Sequence, residues 1–515
     1  VGALAAVLLF WGLTDKYLWQ DEAATAVLAQ RMLRFGRPIA YDGTNLITLD
    51  MHEVDDEDVL RQRTGDPKAL IDFYRERRDF KPDTTWKWQP WGLFVLPALS
   101  FQLLGPTTLA ARLPFALAGL ATVLLLFRLA RRWCGGLLVA TLACLLLVAN
   151  PYWILHARQC RYYSLSSLFL VLTLLAYARW QWGGRGGAAA FIAAAWCWFQ
   201  VDYGTVWPVL AVLFADAFLS DPRRPWRALR VGLVLAAALA PFVYYYELWG
   251  RGGESGGFLE RFRDNLFNTN EYVVPVLVLL AAAVLLAGRW RSLERAERRM
   301  IAVACGIVAA MALWVPAVSV YSYLRYVIVV VPAGALLTAW VLARAPRLAW
   351  LGLAVLVCTP WLSLPFRAVA PPENAEELHR LYRVEWTHLY TDIFTHQPDP
   401  NRLVIDWLKR NAAPTDEILI NYEDFPLMFY LPNPIRGGVA AFRVEDDART
   451  PPRFLILRNS VHFVYWEAFR REQAKYRWAP VPLKAPDVLW GNNPDPMGQD
   501  DPRKAPELYI ARRVD

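Results

Sequence analysis

Apolar residues fill one stretch of roughly 15–20 positions after another from Val1 to about residue 366, with short charged segments between them. A bilayer core of about 30 Å takes about twenty residues of helix, so runs of this length predict membrane spans. The predicted spans are residues 1–18, 113–130, 137–152, 163–180, 188–201, 203–219, 230–249, 273–288, 301–320, 324–343 and 348–366. One further apolar segment, "WGLFVLPALSFQLLG" (91–105), is short for a crossing and carries a proline. It reads as a helix lying in the outer interface. Beyond residue 367 the pattern becomes mixed charge and many prolines without a spanning run, which predicts a separate water-soluble α/β domain. The fold class is therefore a polytopic α-helical membrane protein of about eleven spans. A transmembrane module covers 1–366, with an outer loop at 19–112, and a C-terminal domain covers 367–515.

Charge gives this arrangement an orientation. One set of loops holds Arg128, Arg131, Arg132, Arg179, Arg185, Arg223, Arg224, Arg227, Arg230, Arg289, Arg291, Arg295, Arg298, Arg299, Arg344 and Arg347. The opposite turns hold only Arg158, Arg161, Arg251, Arg261, Arg263 and Arg325. The arginine-rich side is expected in the cytoplasm. The first loop and the C-terminal domain then both face outward. Val1 opens inside an apolar run, so residues 1–13 are not read as a cleaved signal peptide.

Composition adds exclusions. The chain is 56% apolar, and its net charge of +8 comes from residues between spans, which argues for insertion topology and against a nucleic-acid partner. The six cysteines stand singly in or beside spans, so neither a disulfide framework nor a CxxC metal site can be built from them. The run "DMHEVDDEDVL" (50–60) offers carboxylate oxygens that suit a divalent cation, but it lacks the EF-hand spacing and reads better as solvated charge. No metal site is assigned, and a divalent cation is the one cofactor left open.

Candidate chemistry gathers on the outer side. The first span is followed by "WQDEA", with Asp21 and Glu22, and the first loop closes with "WKWQPWG", with Lys87 and Gln89. The turn "ILHARQCRYYSL" carries Arg158, Arg161 and Tyr162, "FQVDYG" carries Asp202 and Tyr203, and "YLRY" carries Arg325 and Tyr326. Each has a plainer reading. Acidic residues favour the first turn of a helix, and arginine and tyrosine anchor helix ends at an interface. Anchoring is the weaker account of Arg158, Arg161 and Arg325, because they stand on the arginine-poor side. Guanidinium groups at headgroup level facing a carboxylate suit an anionic phosphate and a base.

In order and placement, "WQDEA", "QPWGLFVLPALSFQLLGPTTLAARLP", "ARQCRYYSL", "YLRYVIVVVPAGALL" and "RLVIDWLKRNAAPTDEILINYEDFPLMFYLPNP" resemble the glycosyltransferase C-type superfamily. Within it, the likeness is to the bacterial branch related to protein O-mannosyltransferases and the lipid A aminoarabinose transferases, and it spans nearly the whole chain. The resemblance implies transfer of a single sugar from a polyprenyl-phosphate donor to a lipid, glycan or protein acceptor at the outer face. It implies that Asp21, with Glu22 beside it, supplies the base for the acceptor. Arg158, Arg161, Arg325 and Lys87 would serve the donor phosphate, and Tyr162, Gln89, Asp202, Tyr203 and Tyr326 the substrates. The family's Lys/His-Pro-Pro-Leu string is "KWQPWG" here, a departure that bears on Lys87. Two rivals remain at this stage. A ligase of the same superfamily would move whole glycans. A lipid or glycan transporter would place its charges near mid-membrane and show internal repeats, and this chain shows neither.

Overall fold

The computed structural model describes residues 1–47, 80–81, 83–220, 225–250, 257–319, 324–367, 382–383, 385–395, 398–437, 451–458, 470, 473–488 and 505–514. The acidic run 50–60 lies outside them, as does the rest of the charged insert up to residue 79. Helices α1 (Gly2–Phe10), α2 (Gln20–Phe35) and α3 (Gly92–Leu104) are followed by α4 (Thr108–Trp133), α5 (Leu137–Val148) and the short α6 (Pro151–Ala157). Next come α7 (Tyr163–Gln181), α8 (Gly187–Val201), α9 (Tyr203–Ser220) and α10 (Pro225–Tyr245). Then α11 (Phe258–Asn268) runs into a π-helical turn at Thr269–Val273, and α12 (Val276–Gly288), α13 (Arg295–Val318), α14 (Val331–Leu342) and α15 (Ala349–Cys358) follow. The C-terminal part holds α16 (Leu364–Arg367), α17 (Glu385–Phe394), α18 (Pro400–Asn411), β1 (Ile418–Ile420), α19 (Asp424–Tyr430) and β2 (Ile435–Gly437). Strands β3 (Phe454–Leu457), β4 (Arg477–Pro480) and β5 (Tyr509–Val514) complete it.

These elements form two compact units, Val1–Trp11 with Phe115–Ile393 and Gly12–Pro114 with Phe394–Asp515. The first is helical and apolar. Five helices, α4, α7, α9, α10 and α13, are long and apolar enough to cross a membrane, and two bent pairs raise the number to seven. Other expected spans, such as 188–201 and 348–366, hold the shorter apolar helices α8 and α15. The bends share one cause. A residue before proline is driven out of the helical region. Asn150, ahead of Pro151, is extended, and α5 and α6 meet at 71°. Val274, ahead of Pro275, is extended, and the α11 segment meets α12 at 79°. The Asn150 side chain accepts from Trp153 N and so caps the new helix. A cavity of about 60 Å³ is lined by residues of both breaks, among them Asn150, Pro151, Glu271, Pro275 and Arg383.

The second unit carries a five-stranded sheet in the order β2-β1-β3-β5-β4. Strand β1 reads "ILI" and is buried at every position, as a central strand covered on both faces must be. It pairs in parallel with β2 and β3, while β5 runs antiparallel to β3 and β4. The first loop belongs to this unit. Helix α2 packs against α3 and against α19. Asn45 donates to Asn433 O and accepts from Ile435 N, which fixes the loop to the start of β2.

Candidate active site

Gln20, Asp21 and Glu22 form the first turn of α2, where the helix dipole favours carboxylates. Successive helical residues point about 100° apart, and here the divergence separates two fates. Glu22 is fully buried and takes both arms of Arg112, at 2.8 Å from Nε and 2.6 Å from Nη2. The same guanidinium donates to the carbonyls of Leu13, Lys16 and Tyr17. Glu22 therefore holds an arginine that shapes the segment leading into α2. Asp21 stays half-buried on the neighbouring face.

The start of α2 is gripped by the C-terminal residues of its own unit. The Gln20 amide donates to Asp424 Oδ1 at 2.5 Å and accepts from Phe425 N at 3.2 Å. Asn401 donates to Leu18 O at 3.1 Å and to Glu423 Oε2 at 3.0 Å. Arg458 donates to Asn401 Oδ1 and to Asp487 Oδ1. Glu423, 1% exposed, follows β1, and Arg458 follows β3. Burial pushes the Glu423 carboxyl up to about 8; Arg458 and Asn401 oppose the rise, while the negative charges of Asp424 and Asp21 add to it. None of Arg112, Gln20, Asn401, Glu423 and Asp424 was singled out from sequence. The available signal was the adjacent pair of acids in "INYEDFP", directly after a continuously apolar strand.

Lys87 and Gln89 lie in the segment that enters α3, which packs along α2. Lys87 is buried. Gln89 is half-buried, and its Oε1 atom has no hydrogen-bond partner among the described residues. A buried acceptor left open in this way is a place where a bound group would complete the set.

The helical unit holds the other candidates. Tyr163, Asp202, Tyr326 and Arg325 all act electrostatically on the Tyr162 hydroxyl, so "RYY", "VDY" and "LRY" converge there. The Arg325 guanidinium lies 5.9 Å from the Tyr326 ring, and Tyr203 lies 6.2 Å from Tyr246. Arg161 is buried in the same turn as Tyr162. Two members have structural occupations. Asp202 accepts from Gly204 N, Thr205 Oγ1 and Ser166 Oγ, so it caps α9 and ties it to α7. Arg158 donates to Leu8 O at 3.1 Å and Trp11 O at 2.5 Å, closing the C-terminal end of α1, where a cation suits the dipole. Two residues from Tyr162 and Asp202 respectively, Ser164 Oγ and Gln200 Nε2 are buried with no partner among the described residues. Among the described residues no group of three or more His, Cys, Asp or Glu is placed to hold a metal ion.

Broken apolar helices, a long first loop and a small C-terminal sheet make up this fold. It is shared with ArnT from Cupriavidus metallidurans. The apo structure of that protein matches with a TM-score of 0.57 at 14% identity, over 99% of this chain and 96% of that one. The structure of the same protein bound to undecaprenyl phosphate matches with a TM-score of 0.57 at 15% identity and the same coverage. No protein-family model matches the chain, and no curated protein matches it in sequence.

Proposed function

We propose that the protein is a membrane glycosyltransferase that moves a single sugar from a polyprenyl-phosphate donor to a lipid, glycan or protein acceptor at the outer face of a bacterial inner membrane. The observation that carries this reading is the fold, shared over nearly the whole chain with a protein crystallised with undecaprenyl phosphate. The eleven-span topology, with the first loop and residues beyond 367 outside, belongs to the same proposal and rests on the arginine bias.

The chemistry follows from the groups. Asp21 accepts the proton of the acceptor hydroxyl, and the freed oxygen bonds to the anomeric carbon of the sugar. The bond from that carbon to the phosphate oxygen breaks, and its electron pair leaves on the phosphate, giving polyprenyl phosphate. Phosphate is a good leaving group, so the demand is for charge stabilisation, which fixed cations in a partly dry site supply well. Arg161, Arg325 and Lys87 are assigned that role, with Tyr162, Gln89, Tyr203 and Tyr326 around the substrates. Asp202 and Arg158 support the turns that carry these groups.

The test is purified protein incubated with a panel of polyprenyl-phosphate sugars and membrane acceptors, reading released polyprenyl phosphate. Release with at least one single-sugar donor is expected. Transfer only of whole glycans from a diphosphate carrier would make it a ligase, and no transfer from any carrier would overturn the proposal.

A further inference from the structure

The cavity of about 60 Å³ where the two helix breaks of the first unit meet has no part in the sugar transfer proposed above. A water-sized group needs roughly 10–15 Å³, so there is room for about four of them. The floor is buried. It is built from the π-helical turn at Thr269–Val273, Pro151 and Tyr152 of α6, and Val331 and Ala335 of α14. The Tyr152 ring meets the Tyr272 ring edge-on at 4.3 Å. Helix α14 sits so close to the turn that a Cβ on Gly334 would lie 2.5 Å from Val273 O. At the rim, Leu146, Ala149, Val357 and Trp386 are half-buried, and Trp386 Nε1 donates to Val357 O at 2.9 Å. A concave, largely apolar site with few polar groups is the common form of a ligand pocket.

The charges around this cavity do not cancel. Arg367 donates to both oxygens of Glu271, at 3.0 Å from Nε and 2.5 Å from Nη2, so the one carboxylate in the lining already has its cation. Arg383 lines the cavity with neutral acceptors alone: Thr359 O at 3.1 Å from Nε, Glu271 O at 3.4 Å from Nη1 and Ser363 Oγ at 3.4 Å from Nη2. No carboxylate of the described residues bonds to it. Each terminal nitrogen of a guanidinium carries a pair of N–H groups and spends one here, which leaves a fork of N–H donors. Asn150, the other polar side chain at the rim, is spent, since it donates to Tyr272 O and accepts from Trp153 N. Arg383 also closes the end of α15, where its backbone N donates to Cys358 O. A cation suits that end, but closing it does not call for a charge set among aliphatic and aromatic walls. A cation kept in such surroundings without a counter-charge is costly and is the mark of a ligand that brings one.

We propose that this cavity binds the phosphate group of a membrane lipid, with Arg383 as its cation and the apolar rim against the lipid chains. A guanidinium fork matches a pair of phosphate oxygens, which a lysine at the same place could not do. Leu146, Val357 and Trp386 give the chains an apolar path out of the cavity, and tryptophan suits the level where a headgroup meets its chains. Inorganic phosphate offers the same oxygens but gains nothing from that rim. None of the residues assigned to the sugar donor lines the cavity, so this is a second lipid site, independent of the base and of the sugar.

Native mass spectrometry of the purified full-length protein tests this without any sugar donor. The protein is titrated with phosphatidylglycerol, with diacylglycerol and with inorganic phosphate, and the bound molecules are counted. Saturable retention of phosphatidylglycerol is expected, with far weaker binding of the other two. Arg383→Met is expected to weaken phosphatidylglycerol binding roughly ten- to a hundred-fold, and Arg383→Lys to restore only part of it. Ala149→Phe narrows the rim and leaves every Arg383 bond in place, so it is expected to weaken the lipid too, and it decides alone if Arg383→Met fails to fold. Undecaprenyl phosphate binding is expected to be unchanged in Arg383→Met. Diacylglycerol or inorganic phosphate held as tightly as phosphatidylglycerol would overturn the proposal, as would wild-type phosphatidylglycerol affinity in a folded Arg383→Met or in Ala149→Phe. An equal loss of undecaprenyl phosphate binding in Arg383→Met would make the cavity part of the donor site and overturn it as well.

Discussion

Replacing Arg112 by methionine tests whether Glu22 is a structural or a chemical carboxylate. The side chain of Glu22 is wholly buried and that of Arg112 is 9% exposed, so removal of the guanidinium strands a carboxylate with no water to receive it. Breaking a buried pair from one side costs about 3–5 kcal/mol. The carbonyls of Leu13, Lys16 and Tyr17 lose the same donor, which adds to the loss wherever water cannot replace it. Against a typical margin of about 5–15 kcal/mol this is a large fraction. Thermal unfolding in nanodiscs should show Arg112→Met strongly destabilised and Glu22→Gln destabilised too. The double variant Glu22→Leu/Arg112→Met should recover much of the loss, because an apolar pair of similar volume needs no desolvation. An unfolding temperature unmoved by Arg112→Met, together with a stable but inactive Glu22→Gln, would refute the argument and place Glu22 in the chemistry.

Other outcomes follow from the same contacts. Arg325→Ala should weaken undecaprenyl phosphate binding roughly ten- to a hundred-fold, since a charge-assisted contact is worth about 1.5–3 kcal/mol; wild-type affinity by calorimetry would return Arg325 to an anchoring role. Asp202→Ala should lose about 1 kcal/mol of stability, as helix caps do, and Asp202→Asn should retain most of it; equal loss in unfolding scans would contradict the capping role. The raised Glu423 carboxyl makes stability pH-dependent. Its contribution is complete below the ordinary value of 4.5 and is lost as pH rises through about 8, at up to about 1.4 kcal/mol per pH unit, so denaturant midpoints should fall over that window and stay flatter in Glu423→Gln. Single cysteines at Gly65 and Gly498 should both react with an impermeant thiol reagent in intact cells; protection of one alone would break the eleven-span topology.

Apolar run length was enough to read the membrane class, and the change of pattern after residue 367 marked where the sheet would lie. Helix ends were harder to read. The span expected over 1–18 stops at Phe10, with Gly12 at φ 59°, and the spans over 137–152 and 273–288 bend where a proline forces its predecessor out of the helix. Those prolines were visible, but a hydropathy count averages over a break. The place of Asp21 at a helix start beyond an apolar run was legible. Its neighbours were not, because Arg112 pairs with Glu22 across 90 positions and Gln20 pairs with Asp424 across 404. Arg158 shows the same limit. Its place on the arginine-poor face was evident, and its bonds to Leu8 and Trp11 depend on a partner about 150 positions away.

If Asp21 is the base of a sugar transfer from a polyprenyl-phosphate carrier, Asp21→Asn removes catalysis and leaves carrier binding intact. Asparagine keeps the size and the place at the α2 start but cannot take a proton. Turnover, read as released polyprenyl phosphate, should fall by about 10²–10⁴, while undecaprenyl phosphate binding and the unfolding transition remain those of the wild type. Near-normal turnover in Asp21→Asn would contradict the account.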